Sequence, residues 1–444
     1  MNKKILRLAI PNIITNITIP LLGMIDMAIV GHLSRAHIGG ITIGTAIFNL
    51  LYWNFGFLRM GTSGLTAQAY GARQSQEAVN ILVRALTIAI GLAILLIVFQ
   101  IPIAYGLLHF IGGEKDTQNL ALIYFSIRIW AAPANLSLYA IKGWFIGMQN
   151  SRTPMWIAIF INIVNILFSL WFVFVLHYDM AGVAWGTVIA QYAGLLLALF
   201  FLRFHYHPIL RSHWQFGKSM QWNAMKQFFL LNGDIFLRTL CLSIVFTFIT
   251  AASAHINDDI LAINALLLQF FTLFSYIMDG FAYAGEALVG RYIGAQNRIA
   301  LLKTIRGLFR WGIILSAFFM FLYAFFGTFI LSLFTNDTLL ISAAGDYLWC
   351  IVVMPVTAFA AFLWDGIYVG ATASKAMRNA MFVASVVFFA IYYAAQFLMK
   401  HGMIPSTVMT QNICLWIAFL VYLSLRALMQ WLLAEKNVYP KAVS

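Results

Sequence analysis

Apolar runs of twenty or more residues recur along the whole chain, separated by short polar breaks. At 1.5 Å of rise per helical residue, runs of that length match the hydrocarbon thickness of a bilayer. Reading from break to break predicts twelve spans, near 5–31, 39–69, 80–110, 118–148, 154–177, 181–204, 228–254, 260–290, 302–334, 340–370, 376–399 and 405–433. The longer ones must tilt or continue into water. The most extended polar connection, 205–227, separates a six-span stretch at 1–204 from another at 228–444. The expected fold class is an all-α membrane protein of two six-helix lobes joined by a cytoplasmic loop.

Composition agrees with that pattern. With 62% hydrophobic and 9% charged residues among 444, a soluble fold could not hide its apolar surface. The net charge of +13 does not signal nucleic acid, because it is spread over short loops on one side. With the N-terminus inside, 20 of the 27 Lys and Arg fall on the inner side, and Arg35, Lys115 and Lys400 on the outer. The remaining four, Arg59, Arg128, Lys142 and Arg238, lie within spans. This asymmetry predicts both termini in the cytoplasm; the expected location is the inner (plasma) membrane. The basic start of Met1–Ile10 runs on past Pro11 to Val30 without a small-residue cleavage pattern, so it reads as an uncleaved first span. Cys241, Cys350 and Cys414 all fall inside spans and read as packing residues. No nucleophile–base set and no phosphate-binding Gly-Lys-Ser/Thr loop is found, which argues against an enzyme, a cofactor or an ATP-driven pump.

Sliding the chain over itself gives matches at an offset of 223. Lys142-Gly143-Trp144-Phe145-Ile146-Gly147 falls on Asp365-Gly366-Ile367-Tyr368-Val369-Gly370, Ser151-Arg152 on Ser374-Lys375, and Gly71-Ala72 on Gly294-Ala295. Six spans per repeat is an even number, so both halves enter the membrane from the same side, related by an axis along its normal. Two similar lobes favour a transporter over a channel or a membrane enzyme, since a site served by both can open to either side.

Polar residues inside the spans carry the candidate chemistry. Asp26 is the only acid of the first span, and a carboxylate in hydrocarbon costs several kcal/mol unless it is paired, hydrated or protonated. At about 100° per residue Asn12, Asn16, Gly23 and Asp26 share one helix face. Asn162, Asn165 and Ser169 share a face of the fifth span, and Thr187 follows in the sixth. Together these oxygens suit a proton on Asp26 or a small hard cation; interhelical hydrogen bonding is the structural alternative. In the second half, Asp234 and Arg238 are spaced for an ion pair on one helix. Asp279 and Glu286 share a face, and Asp365 sits in the tenth span. Four acids against one Arg leave a negative excess that protons, water or a cation must answer. Lys142, the repeat mate of Asp365, is placed to pair with an acid across helices.

Several segments resemble the multidrug and toxic compound extrusion (MATE) family, and its DinF branch in particular. They are Asn232-Gly233-Asp234-Ile235-Phe236-Leu237-Arg238-Thr239, Asp279-Gly280-Phe281-Ala282-Tyr283-Ala284-Gly285-Glu286, Trp364-Asp365-Gly366-Ile367 and Gly143-Trp144-Phe145-Ile146-Gly147. The resemblance implies a V-shaped, twelve-helix, two-lobed fold. It also implies export of cationic or amphipathic compounds in exchange for protons or sodium ions, by a monomer in the lipid bilayer. Pro11 matches the family's kinking proline, Asp26 its first-span acid, Asn165 and Thr187 its fifth- and sixth-span site residues. Ser169 departs from the pattern, standing where many DinF-like members carry Asp. A sodium ion near Asp26, Asn165 and Thr187 would then keep one carboxylate, so protons are the expected coupling ion. Asp365 matches a tenth-span acid used for cation coupling in another branch, whose seventh-span Glu is not evident here. The rival expectation is a flippase for a lipid-linked precursor or a metabolite, which would need several Arg or Lys lining its cavity.

Overall fold

The computed structural model describes residues 1–31, 35–111 and 115–442. Among them the chain is helical, with no strand. The first six crossings contain α1 (Asn2–Gly31), α2 (Arg35–Asn54), α3 (Phe57–Gly71), α4 (Ser75–Val98), α5 (Gln100–Ile111), α6 (Lys115–Arg128), α7 (Ala132–Gly147), α8 (Arg152–Leu170) and α9 (Asp179–His205). Two short helices follow, α10 (His207–His213) and α11 (Phe216–Ser219). The rest is α12 (Trp222–Ile256), α13 (Asp258–Gly294), α14 (Arg298–Phe334), α15 (Thr338–Gly345), α16 (Leu348–Gly370), α17 (Ser374–Lys400) and α18 (Val408–Asn437).

Eleven helical stretches among the described residues are long and apolar enough to cross a membrane. The twelfth crossing is the rod of α6 and α7. Lys115, Asp116 and Gln118 dilute its apolar character, and a tighter turn at Ile129–Ala131 interrupts it just before Pro133. A proline there lacks the N–H that would continue the first helix.

The helices form two compact units, Ile10–Asn232 and Gly233–Ser444 together with Met1–Ala9. Both divisions fall inside helices, α1 and α12, at positions that differ by the repeat offset. In the second unit the start of α1 is held by side chains: Lys4 Nζ donates to Tyr292 Oη at 3.3 Å, and Ile5 packs against Gly307. In the first unit the start of α12 is held likewise, with Phe228 in the hydrophobic core and Asn232 against Gly61 of α3.

The repeat reappears contact by contact. In the first unit Gly143 and Gly147 of α7 lie on the backbone carbonyls of Arg59 and Ser63 of α3. In the second unit Gly366 and Gly370 of α16 lie on those of Ala282 and Glu286 of α13, the same pairs shifted by the same offset. Small residues let two backbones approach this closely where side chains could not. Gly366→Ala is therefore expected to lower stability by about 2 kcal/mol, because a methyl group would meet a helix carbonyl that cannot move aside. Thermal unfolding of the detergent-purified variant measures this; an unchanged midpoint would show that the helices part there at no cost.

The connector between α9 and α12 is docked on the first unit. Arg84 of α4, 5% exposed, donates Nε to the carbonyl of Ser219 at 2.7 Å and Nη1 to Glu77 at 2.6 Å. Ser219 Oγ donates to Asn80 Oδ1 at 2.9 Å, and Gln76 to the His213 carbonyl at 2.7 Å. These bonds satisfy short-helix ends that would otherwise be left open.

Candidate functional site

In the first unit α1 brings Pro11, Asn12, Asn16 and Asp26, and α8 brings Asn162, Asn165 and Ser169. Pro11 lies inside α1, which stays one continuous helix, and its carbonyl accepts a bond from Thr15 Oγ1 at 2.9 Å. Asn12 donates to Ser151 Oγ at 3.1 Å, and Asn162 donates to the Thr18 carbonyl at 2.9 Å. Asn12 and Asn162 thus tie α1 to the start and middle of the fifth span. Asn162 is accounted for by that structural bond.

Asn165 and Ser169 are fully buried. Asn165 Nδ2 donates to Thr187 Oγ1 at 3.0 Å, and Thr187 in turn donates to the Val183 carbonyl at 3.1 Å. Ser169, one turn along α8, sits against Gly186, beside Thr187 on α9. Asn165, Ser169 and Thr187 are therefore brought together. Asn165 Oδ1 and Ser169 Oγ have no hydrogen-bond partner among the described residues.

Asp26 is 5% exposed, and its Oδ1 also lacks a hydrogen-bond partner among them. None of the hydrogen bonds that the structure records joins Asp26 to Asn165, Ser169 or Thr187. Its electrostatic neighbours are Arg128 and Tyr124 of α6. Arg128 donates to Tyr124 Oη at 2.5 Å and lies over the rings of Phe48 (4.7 Å) and Tyr124 (5.3 Å). A guanidinium between aromatic faces is stabilised by their quadrupoles, more so where water is scarce. The electrostatic influence of Arg128 on Asp26 was not foreseen from sequence; the signal available was an Arg inside a predicted span.

In the second unit Asp365 of α16 is 6% exposed and is surrounded by donors. Arg238 of α12 and Arg426 of α18 both donate to its Oδ2, and Gln430 Nε2 donates to Oδ1 at 2.7 Å. Asp279 and Glu286 lie within electrostatic reach of Arg238. Asp234 is not paired with Arg238, contrary to the expected ion pair. It accepts from Ser374 Oγ at 2.9 Å and Arg378 Nη1 at 2.5 Å, both on α17. An i, i+4 pair stabilises a helix by only about 0.2–0.5 kcal/mol, less than buried charge-assisted bonds to neighbouring helices.

The expected negative excess is corrected too. Arg426 was assigned to the inner basic segment, yet it is 2% exposed inside α18. With Arg238 and Arg378 it answers Asp365 and Asp234, two of the four acids counted in that excess. Its place within the predicted span 405–433, one turn before Gln430, was the signal that could have found it. Lys142 departs from expectation in the other unit: no carboxylate among the described residues is within its electrostatic reach.

A chain of twelve helical crossings in two internally repeated units, with buried acids facing guanidinium groups, has the architecture of a secondary transporter. The MatE family model matches residues 11–171 and again 235–394, one match per half. DNA damage-inducible protein F of Escherichia coli (strain K12) is 37% identical over 431 residues, covering 96% of this chain and 90% of that protein. A probable multidrug resistance protein NorM of Photorhabdus laumondii is 22% identical, covering 76% and 74%. A crystal structure of a MATE transporter in the bent conformation superposes with a TM-score of 0.86 at 18% identity, covering 99% and 96% of the two chains. The chain belongs to the MATE family, and it is a multi-pass membrane transporter rather than an enzyme.

Proposed function

We propose that this transporter exports cationic or amphipathic organic compounds from the cytoplasm in exchange for protons, with Asp26 as the coupling residue. It works as a monomer in the inner membrane with both termini in the cytoplasm, and 205–227 links the lobes 1–204 and 228–444. The observation that carries this reading is a contrast between two buried acids. Asp365 has its oxygens occupied by two guanidinium groups and an amide, whereas Asp26 keeps an oxygen without a hydrogen-bond partner. A titrating acid has to exchange its partner during the cycle, and of these two Asp26 has that latitude.

The surroundings of Asp26 favour a proton over sodium. Arg128 beside it repels a second cation, and Ser169 supplies a hydroxyl but no charge. Protonation of Asp26 from outside removes a buried charge and weakens its hold on α6. The first helix then bends near Pro11, where a backbone hydrogen bond is already missing, and substrate is displaced. Deprotonation toward the cytoplasm restores the binding form.

The test is uptake of a fluorescent amphipathic dye into inverted vesicles, driven separately by a pH gradient and by a sodium gradient. Uptake under the pH gradient alone supports the proposal, and a sodium requirement sinks the choice of ion. No movement under either gradient, followed by transport of a lipid-linked precursor, would establish the flippase alternative. Ser169→Asp is expected to add sodium dependence, with half-maximal transport at a sodium concentration several-fold lower than any wild-type response. Indifference of that variant to sodium would show that Ser169 does not face the coupling ion.

A further inference from the structure

Of the eleven crossings recognised by length and composition, α14 is the least buried, with 22% of its apolar stretch covered by protein. One side packs inward through Leu301, Ile305, Leu308, Gly312, Phe319 and Tyr323. The other side is an exposed stripe. Ile314, Phe318, Phe321 and Phe325 form its apolar part, and Lys303, Arg306 and Arg310 continue it toward the start of the helix. At about 100° per residue all seven fall within a sector of roughly 120°.

The change from apolar to cationic comes at a defined depth. The exposed apolar residues of α14 run from Ile313 to Leu333, about 30 Å at 1.5 Å per residue, which is the thickness of the hydrocarbon. Arg310 and Arg306 follow within two turns, at the depth of the lipid phosphates, and Lys303 lies just outside them. Helical side chains lean toward the N-terminus, so all three reach outward into the headgroups.

Nothing within the protein answers this charge. No Asp or Glu occurs between Glu286 and Asp337. Among the described residues none of the three cations takes part in an ion pair. The start of α1 rests on the neighbouring flank of α14, with Ile5 against Gly307 and Met1 Sδ accepting from Thr304 Oγ1 at 3.4 Å. That segment adds the exposed cations Lys3 and Arg7 and no acid. The internal repeat does not require the charge either. The equivalent positions on α4 are Asn80, Val83 and Thr87, of which the first two are buried, and Asn80 is covered by Ser219 of the connector.

We propose that Lys303, Arg306 and Arg310 bind the headgroup of an anionic phospholipid, whose acyl chains lie along Ile314, Phe318, Phe321 and Phe325. A loop bias toward positive charge explains cations facing water. It does not place three of them on the helix face that lipid covers, directly in line with the apolar stripe. Guanidinium groups suit the paired oxygens of a phosphodiester, and Arg306 and Arg310 lie one turn apart on that face. A zwitterionic lipid brings its own cation to the phosphate and is held less strongly. The site goes beyond the transport reading and takes from it only the cytoplasmic side of the termini.

The experiment is native mass spectrometry of the detergent-purified full-length protein with added dioleoylphosphatidylglycerol or dioleoylphosphatidylcholine. Wild type is expected to bind the glycerol lipid about tenfold or more tightly than the choline lipid. Combining Lys303→Gln, Arg306→Gln and Arg310→Gln is expected to weaken binding of the glycerol lipid by about tenfold to a hundredfold and to leave the choline lipid within about twofold. As a control for net charge, Arg203→Gln, Arg211→Gln and Lys226→Gln remove three exposed cations of the first unit and are expected to leave both lipids within about twofold of wild type. Equal affinity of wild type for the two lipids, or equal losses in the two triple variants, overturns the site. Should the first triple variant not be recovered folded, Lys303→Gln and Arg310→Gln decide singly: a loss of about threefold or more in each supports the site, and unchanged binding in either overturns it.

Discussion

Asp26→Asn is expected to fold like wild type and to lose pH-driven dye uptake by about a hundredfold or more. The stability half of this expectation comes from Arg128. When Asp26 loses its charge, the guanidinium keeps Tyr124 Oη at 2.5 Å and two aromatic faces, so no buried cation is stranded. An amide in place of the carboxylate also removes the cost of a charge in low dielectric. The transport half follows because the amide resembles the protonated form and cannot return from it. A thermal midpoint within about 2 °C of wild type, with initial rates at background, is the anticipated pair of results. Undiminished uptake would remove Asp26 from the coupling step. A large fall in the midpoint would instead make the electrostatic attraction between Asp26 and Arg128 a structural element.

Asp365 should behave in the opposite way. Asp365→Ala strands Arg238 and Arg426, both almost fully buried, and each already has an Nε without a partner. Removing one side of a buried ion pair costs about 3–5 kcal/mol. For a protein of this size that corresponds to a midpoint lower by about 3–5 °C, or to loss of folded protein on purification. Arg426→Met in the same background should recover part of the loss, because one of the stranded charges is then gone. The two changes would be far from additive, as expected for groups in one network. A variant that stays as stable as wild type but no longer transports would transfer the coupling role to this acid. Comparing the Asp26 and Asp365 variants on the same two measurements thus separates a working acid from a holding one.

Much of the architecture was legible because it depends on the bilayer alone. Run length sets span number, and the chain had to satisfy its backbone hydrogen bonds within helices wherever it crossed lipid. The internal repeat was equally visible, since Gly143 and Gly147 mark close helix contacts whose shifted copies are Gly366 and Gly370. Where the pattern misled, the causes differed. Arg426 was counted with the inner basic segments, although it lies buried beside Asp365. The fourth crossing was predicted as one span and is broken at Ile129–Ala131, where Pro133 opens a new helix.

For this protein the order of residues by itself determined the membrane-spanning helical class, the two-fold internal repeat and the short roll of acids and cations worth examining. Hydrophobic run length, loop charge and glycine spacing are local properties that survive without coordinates. The tertiary structure alone decided who answers whom: Arg128 for Asp26, Arg238 and Arg426 for Asp365, Arg378 for Asp234, and no carboxylate for Lys142. Charges in low dielectric interact strongly over a few ångströms, and which helices come that close depends on packing between segments far apart in the chain. Helical spacing proposed the neighbour four residues away, and packing supplied one more than a hundred residues distant.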